Sequence, residues 1–138
     1  MAAKKAIVTG GAGFIASHVC DALIGRGFEV AVIDNLSSGK LQNVAPGATF
    51  YQADIRDKSV PHIFAKEQPQ YLFHLAAQMD VRRSVADPAY DADVNIGGTI
   101  NLIEAGRAVG LKKTIYASTG GAVYGEPKNI PADEQTAV

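Results

Sequence analysis

The chain has 138 residues, 47% of them hydrophobic, with a net charge of -1 and a single cysteine. That length suffices for one domain that buries about two-thirds of its unfolded surface, with no room for a second. A near-neutral balance without a dense Lys/Arg run argues against nucleic acid or an anionic membrane surface as the main partner. Met1-Ala2-Ala3-Lys4-Lys5 is followed only by Ala6-Ile7-Val8 before a glycine cluster, too short for a signal peptide or a membrane span, so a cytoplasmic protein acting on small molecules is expected. Cys20 cannot form an internal disulfide and reads as a packed core thiol.

Lys5-Ala6-Ile7-Val8 reads as a buried strand, and Thr9-Gly10-Gly11-Ala12-Gly13-Phe14-Ile15-Ala16 as a turn leading into a helix. Phe14, Ile15, Val19, Leu23 and Ile24 are expected to share that helix's apolar face. Gly10 and Gly11 permit a backbone path that a side chain would block. Gly13 lets phosphates approach the main chain, and the helix beginning near Phe14 and Ile15 offers unpaired N–H groups to the anion. A glycine-rich turn alone is a weak signal, since such turns join strands to helices in many proteins that bind nothing. The second strand, Glu29-Val30-Ala31-Val32-Ile33-Asp34, strengthens it, because it ends in an acid about 20 residues further on. A carboxylate there accepts hydrogen bonds from a ribose and repels a 2′-phosphate. No arginine follows Asp34, so NAD is favoured over NADP.

A polar loop leads to a third strand, Thr49-Phe50-Tyr51-Gln52-Ala53-Asp54, then a helix over about residues 58–68 with Pro61 in its first turn, ended by Pro69. Tyr71-Leu72-Phe73-His74-Leu75-Ala76 is a fourth strand, followed by a charged loop to Pro88. A long helix over about residues 89–109 is capped by Gly110, and Lys113-Thr114-Ile115-Tyr116-Ala117-Ser118 is a fifth strand. Loop is expected from there to the end. Strands alternating with helices predict an α/β fold: a truncated Rossmann sheet, parallel and five-stranded, of order 3-2-1-4-5. Its handedness puts the helices near 58–68 and 89–109 on one face and only the first helix on the other.

The whole chain resembles the N-terminal part of the extended short-chain dehydrogenase/reductase family, most closely the UDP-glucose (UDP-galactose) 4-epimerases. The glycine turn through Ser17-His18 looks like the family's opening, with Ala16 where glycine is usual. Asp34-Asn35-Leu36-Ser37-Ser38-Gly39 is similar to the epimerase ribose loop, which implicates Asn35, Ser38 and Gly39. Asp54-Ile55 is similar to the pair that contacts adenine; Asp54 could instead cap the following helix. His74-Leu75-Ala76-Ala77-Gln78 resembles the segment beneath the cofactor, which implicates Leu75, Ala76 and Ala77, while His74 itself reads as a satisfied core histidine. Asn95 resembles the helix asparagine near the active site, and as a mid-helix asparagine it calls for a side-chain role. Gly97-Gly98 in the same helix suggests close packing. Arg82 and Arg83 read as solvated loop charges.

The resemblance implies hydride transfer at the sugar's C4 with bound NAD, a tyrosine base with a lysine four residues later, and a hydroxyl from the fifth strand. It places the tyrosine and lysine on a helix after Val138, so residues 1–138 are expected to form an incomplete NAD-binding domain, inactive alone, whose UDP-sugar is bound only in the full-length parent. Tyr124-Gly125-Glu126-Pro127-Lys128 has the Tyr-x-x-x-Lys spacing, but Gly125 and Pro127 keep it off one helical face, and it reads as a decoy. The family's usual serine falls at Gly120, leaving Thr119 as the substitute and Ser118 second. Gly121-Ala122 lacks the acid that the related dehydratases and decarboxylases carry, which favours simple epimerisation. A free-standing NAD-binding module is the alternative of a different class, and another nucleotide-sugar enzyme of the extended family is a third. Self-association, as a homodimer, is expected through the open fifth strand and the uncovered sheet face beside it, and the resemblance implies the helix over 89–109 as a further route.

Overall fold

The computed structural model describes residues 3–126, 130–133 and 135–136. Strands β1 (Lys5–Thr9), β2 (Glu29–Asp34), β3 (Thr49–Gln52), β4 (Tyr71–His74) and β5 (Lys113–Tyr116) form one sheet. All pairings are parallel and the order is β3-β2-β1-β4-β5, as the sequence predicts. Val8 lies opposite Val32 on one side and Phe73 on the other. Covered on both faces, β1 and β2 are almost continuous runs of buried apolar residues, the composition a parallel sheet demands.

Helix α1 (Phe14–Ile24) packs Ala16, Cys20 and Leu23 against Ala6, Val8, Val30 and Val32. On the opposite face, α2 (Val60–Glu67) contributes Ile63 and Phe64, which share a core with Ile7, Ile33 and Leu72. The division of helices between faces is the expected one. Cys20 is fully buried, and desolvation pushes its thiol up to about 12, which leaves it inert.

Four local expectations are corrected. Phe14 and Ile15 are 78% and 67% exposed instead of sharing the buried face of α1. The stripe is set by Ala16, Cys20 and Leu23, whose small first members allow close approach to the sheet, and Phe14 precedes it by about 200° of helical rotation. The charged segment before Pro88 is not a loop: Asp80 caps α3 (Val81–Ala86) by accepting from the Arg82 N–H, and Asp87 caps α4 (Pro88–Ala92) by accepting from the Tyr90 N–H. The long helix is not uniform, for a π-helical turn at Asp93–Gly97 separates α4 from α5 (Gly98–Ala108), and α5 adds Leu102 and Ala105 to the core beside α2. Gly98 meets the expectation of close packing, since a β-carbon there would stand 2.5 Å from Ile55 Cδ1. Last, a short helix α6 (Gly120–Tyr124) follows β5 where loop is predicted, its turn closed by the Val123 N–H donating to the Thr119 carbonyl. The glycines at 120 and 121 hide it from propensity.

Candidate nucleotide-binding site

Strand order reverses between β1 and β4, and the crevice outside the C-terminal ends of the strands there is where open α/β sheets hold ligands. The turn after β1 forms its floor. Gly10 has φ +76°, and a β-carbon on it would lie 3.0 Å from the Ala76 nitrogen. One on Gly11 would lie 2.6 Å from Val32 Cγ1. The chain itself therefore requires both glycines. Gly13 differs: its φ is -83°, and a β-carbon there would meet only the Gly10 carbonyl, at 3.1 Å. Behind it the Ser17 N–H donates to Gly13 O, which leaves the first-turn amides of Phe14, Ile15 and Ala16 without an intrahelical acceptor.

Asp34 ends β2 at 8% exposure, with both carboxylate oxygens engaged. Oδ2 accepts from the Ala12 N–H at 3.0 Å and Oδ1 from the Leu36 N–H at 2.7 Å. Each oxygen keeps a lone pair for a further donor. The loop that follows folds back over the turn: a β-carbon on Gly39 would stand 2.8 Å from that of Ala12, and the Lys40 N–H and Asn43 Nδ2 both donate to Ala12 O at 3.0 Å. Asn35 and Ser38 are exposed on this loop.

Asn35 Nδ2 donates to Asp54 Oδ2 at 2.9 Å, joining the ends of β2 and β3. Asp54 does not cap α2, whose preceding residue is Ser59. Its carboxylate instead takes a bidentate pair from Arg56, Nε at 2.8 Å and Nη2 at 2.9 Å. The guanidinium holds that carboxyl well below the usual carboxylate range. Arg56 also donates Nη1 to Asp93 at 2.8 Å and lies 5.0 Å from the Tyr90 ring centre. Sequence reasoning missed this arginine; its signal is the spacing from Asp54, which lets one guanidinium fork close on the carboxylate two residues back. Ile55 is buried beneath Gly98.

After β4, Leu75 and Ala76 are half-buried and Ala77 is exposed. Asn95 sits on the π-helical turn and pairs with the main chain of Gln78 at both ends, accepting from its N–H at 2.9 Å and donating to its carbonyl at 2.9 Å. The side-chain role expected of Asn95 is thus visible as a clamp on this segment. His74 is 2% exposed, held between Thr9 and Thr99, as befits a satisfied core histidine. Arg82 is 93% exposed at its side chain, while Arg83 stacks 3.9 Å from the Tyr90 ring centre.

The fifth strand delivers its residues to the same edge. The Ala117 N–H continues the ladder to His74 O at 3.0 Å, and Ser118 and Thr119 follow, both exposed. A β-carbon on Gly120 would find its nearest neighbour at 3.9 Å, so packing does not impose glycine there. Tyr124 is the last residue of α6, and Gly125, with φ +59°, ends the helix. The proposed decoy therefore breaks at its second residue; Lys128 lies outside the described residues. Among the described residues no three His, Cys, Asp or Glu side chains converge as a metal site, and no helix is long and apolar enough to cross a membrane.

Residues 6–138 match the model of the NAD dependent epimerase/dehydratase family. The chain belongs to that family. A UDP-glucose 4-epimerase of Mycolicibacterium smegmatis is 42% identical over 139 residues, which cover 97% of this chain and 44% of the relative. Among solved family structures, a UDP-glucose 4-epimerase of Thermotoga maritima with UDP-glucose superposes with a TM-score of 0.88 at 49% identity, over 96% of this chain and 44% of that one. A Thermus thermophilus UDP-glucose 4-epimerase in complex with NAD gives 0.87 at 48% identity, over 96% of this chain and 43% of that one. The chain thus spans 42–44% of the length of the first curated relatives it matches.

Proposed function

We propose that this chain is the NAD-binding part of a UDP-sugar 4-epimerase, a cytoplasmic enzyme that works as a homodimer. The observation that carries the reading is the union of Asp34 with the glycine turn, through the 3.0 Å bond to the Ala12 N–H. It sets a buried carboxylate with spare lone pairs beside first-turn amides and Gly13, where a β-carbon would press only on the Gly10 carbonyl, at 3.1 Å. A dinucleotide fits these donors and acceptors: pyrophosphate at Gly10, Gly13, Phe14 and Ile15, ribose at Asp34 with Asn35, Ser38 and Gly39, adenine at Asp54 and Ile55. Leu75, Ala76 and Ala77 would support the rest of the cofactor, with Asn95 acting through Gln78.

Bound NAD supplies a reversible hydride acceptor for the sugar's C4. The chain's own share of the chemistry is a hydroxyl at the end of β5 that shares the proton path of the sugar's 4-hydroxyl: Thr119 first, Ser118 second. Sequence at 121–122 offers no acid for an elimination, so epimerisation is favoured over dehydration.

The reading is tested by joining this chain to the remaining C-terminal portion of the Mycolicibacterium relative and assaying UDP-galactose turnover. The chimera should interconvert UDP-galactose and UDP-glucose without losing water, and Thr119→Val should slow it more than Ser118→Ala. A chimera that binds NAD but eliminates water would move the chain to the dehydratase side of its family. The reverse ranking of the two variants would transfer the role to Ser118.

A further inference from the structure

His74 lies at the centre of a closed chain of hydrogen bonds that links the glycine turn to the π-helical turn through the segment between them. Thr99 Oγ1 donates its proton to Asn95 O at 2.7 Å, so toward His74 Nε2, 2.9 Å away, it can only accept. Nε2 therefore carries the imidazole proton. Nδ1 is then bare and accepts from Thr9 Oγ1 at 2.8 Å. With its own proton committed to His74, Thr9 Oγ1 uses its lone pairs to accept the N–H groups of Leu75 and Ala76, each at 3.2 Å. Two segment amides thus hang on one threonine, whose orientation hangs on one imidazole.

The far end of the segment is fixed by Asn95, which holds Gln78 at both main-chain atoms. Thr99 bonds the carbonyl of that same Asn95. His74 consequently joins both supports of residues 75–78: through Thr9 to the start, through Thr99 and Asn95 to the end. The start of the segment packs directly against the turn, for a β-carbon on Gly10 would lie 3.0 Å from the Ala76 nitrogen.

We propose that His74 is a positioning residue for the dinucleotide, holding residues 75–78 in register with the glycine turn through its neutral Nε2–H tautomer. The proposal rests on the reading of the crevice as an NAD site, and it adds to that reading a division of labour. Gly10–Ile15, Asp34 and Asp54 receive the adenosine diphosphate half, whereas the relay serves the part of the cofactor that runs over residues 75–78. The groups facing the imidazole are Thr9 from β1, Thr99 from α5 and the Tyr116 ring from β5, its centre 5.4 Å away. Neither threonine carries a charge, so nothing on them favours an imidazolium, and burial pushes the ring down to about 4. A second ring proton would have to face Thr9 Oγ1, whose lone pairs already serve Leu75 and Ala76.

Calorimetric titration of the 138-residue chain with NAD and, separately, with ADP tests the relay. His74→Phe keeps a ring but removes both bonding atoms; it should weaken NAD about tenfold while changing ADP less than twofold. Thr99→Val, which leaves the histidine in place, should weaken NAD in the same selective way, and serves if the phenylalanine variant does not fold. His74→Gln, with one acceptor and one donor, should recover most of the NAD affinity. Parallel loss of NAD and ADP, or unchanged NAD affinity in His74→Phe and Thr99→Val, would overturn the proposal and leave the NAD site standing. Wild-type chain that binds ADP but not NAD would overturn both.

Discussion

The carboxylate of Asp34 accepts the main-chain N–H of Ala12 at 3.0 Å, so the acid that ends the second strand also holds the turn that follows the first. On the proposed reading, selection of the ribose and the shape of the phosphate cradle are thereby coupled. Asp34→Ala should lose both functions: urea unfolding should show a loss of about 1–3 kcal/mol from the amides of Ala12 and Leu36 left without their acceptor, and NAD binding should weaken at least tenfold. Unchanged stability would mean that the bond to Ala12 contributes nothing to the turn.

Two glycines of the turn should respond oppositely. Gly10→Ala places a β-carbon 3.0–3.2 Å from main-chain atoms of Leu75 and Ala76 in a left-handed conformation, and should cost more than about 2 kcal/mol. Gly13→Ala brings a β-carbon 3.1 Å from one carbonyl at an ordinary φ, and should cost less than Gly10→Ala while abolishing NAD binding. If Gly13→Ala binds NAD normally, the space above the turn is not the phosphate site.

The sheet was legible because β1 and β2 are short runs of β-branched and alanine residues bounded by turn signals, which admit few alternatives. The glycine turn and the place of Asp34 at the end of β2 were legible because both depend on local spacing. Arg56 carried a local signal only toward Asp54; its bond to Asp93, the Thr99 contact and the clamp of Asn95 on Gln78 were not legible, since each joins residues brought together only by the fold: Arg56 with Asp93, His74 with Thr99, Asn95 with Gln78. The π-helical turn has no propensity signature, and the buried stripe of α1 was misjudged at Phe14 because side-chain size outweighed the helical period.

Stability should fall in mild acid before carboxylates matter. His74 is pushed down to about 4, so below its ordinary 6.5 the unfolded chain binds a proton that the folded chain refuses. Up to about 3 kcal/mol should be lost between pH 6.5 and 4, a slope that His74→Gln should flatten. Asp54, lowered by Arg56, contributes stability above its ordinary 3.8 and loses it only below that pH. A wild-type urea midpoint flat from pH 7 to 4.5 would contradict the buried neutral histidine.

The chain should self-associate. Ile96, Ile100 and Ile103 are 61%, 57% and 38% exposed along the helical stretch of the π turn and α5, and Ile115 on the edge strand β5 is 37% exposed. Sedimentation at micromolar concentration should show a dimer that Ile100→Lys disperses. A monomer throughout that range would mean these side chains tolerate water.

Preference for NAD over NADP tests the central claim most directly. A buried carboxylate at Asp34, with no arginine in the loop that follows, should receive the ribose hydroxyls and repel a 2′-phosphate. Calorimetric titration should give an NAD affinity at least tenfold above that for NADP, and Asp34→Ala should narrow the gap. Equal affinities, or tighter binding of NADP, would contradict the assignment of Asp34 to the ribose and with it the reading of this crevice.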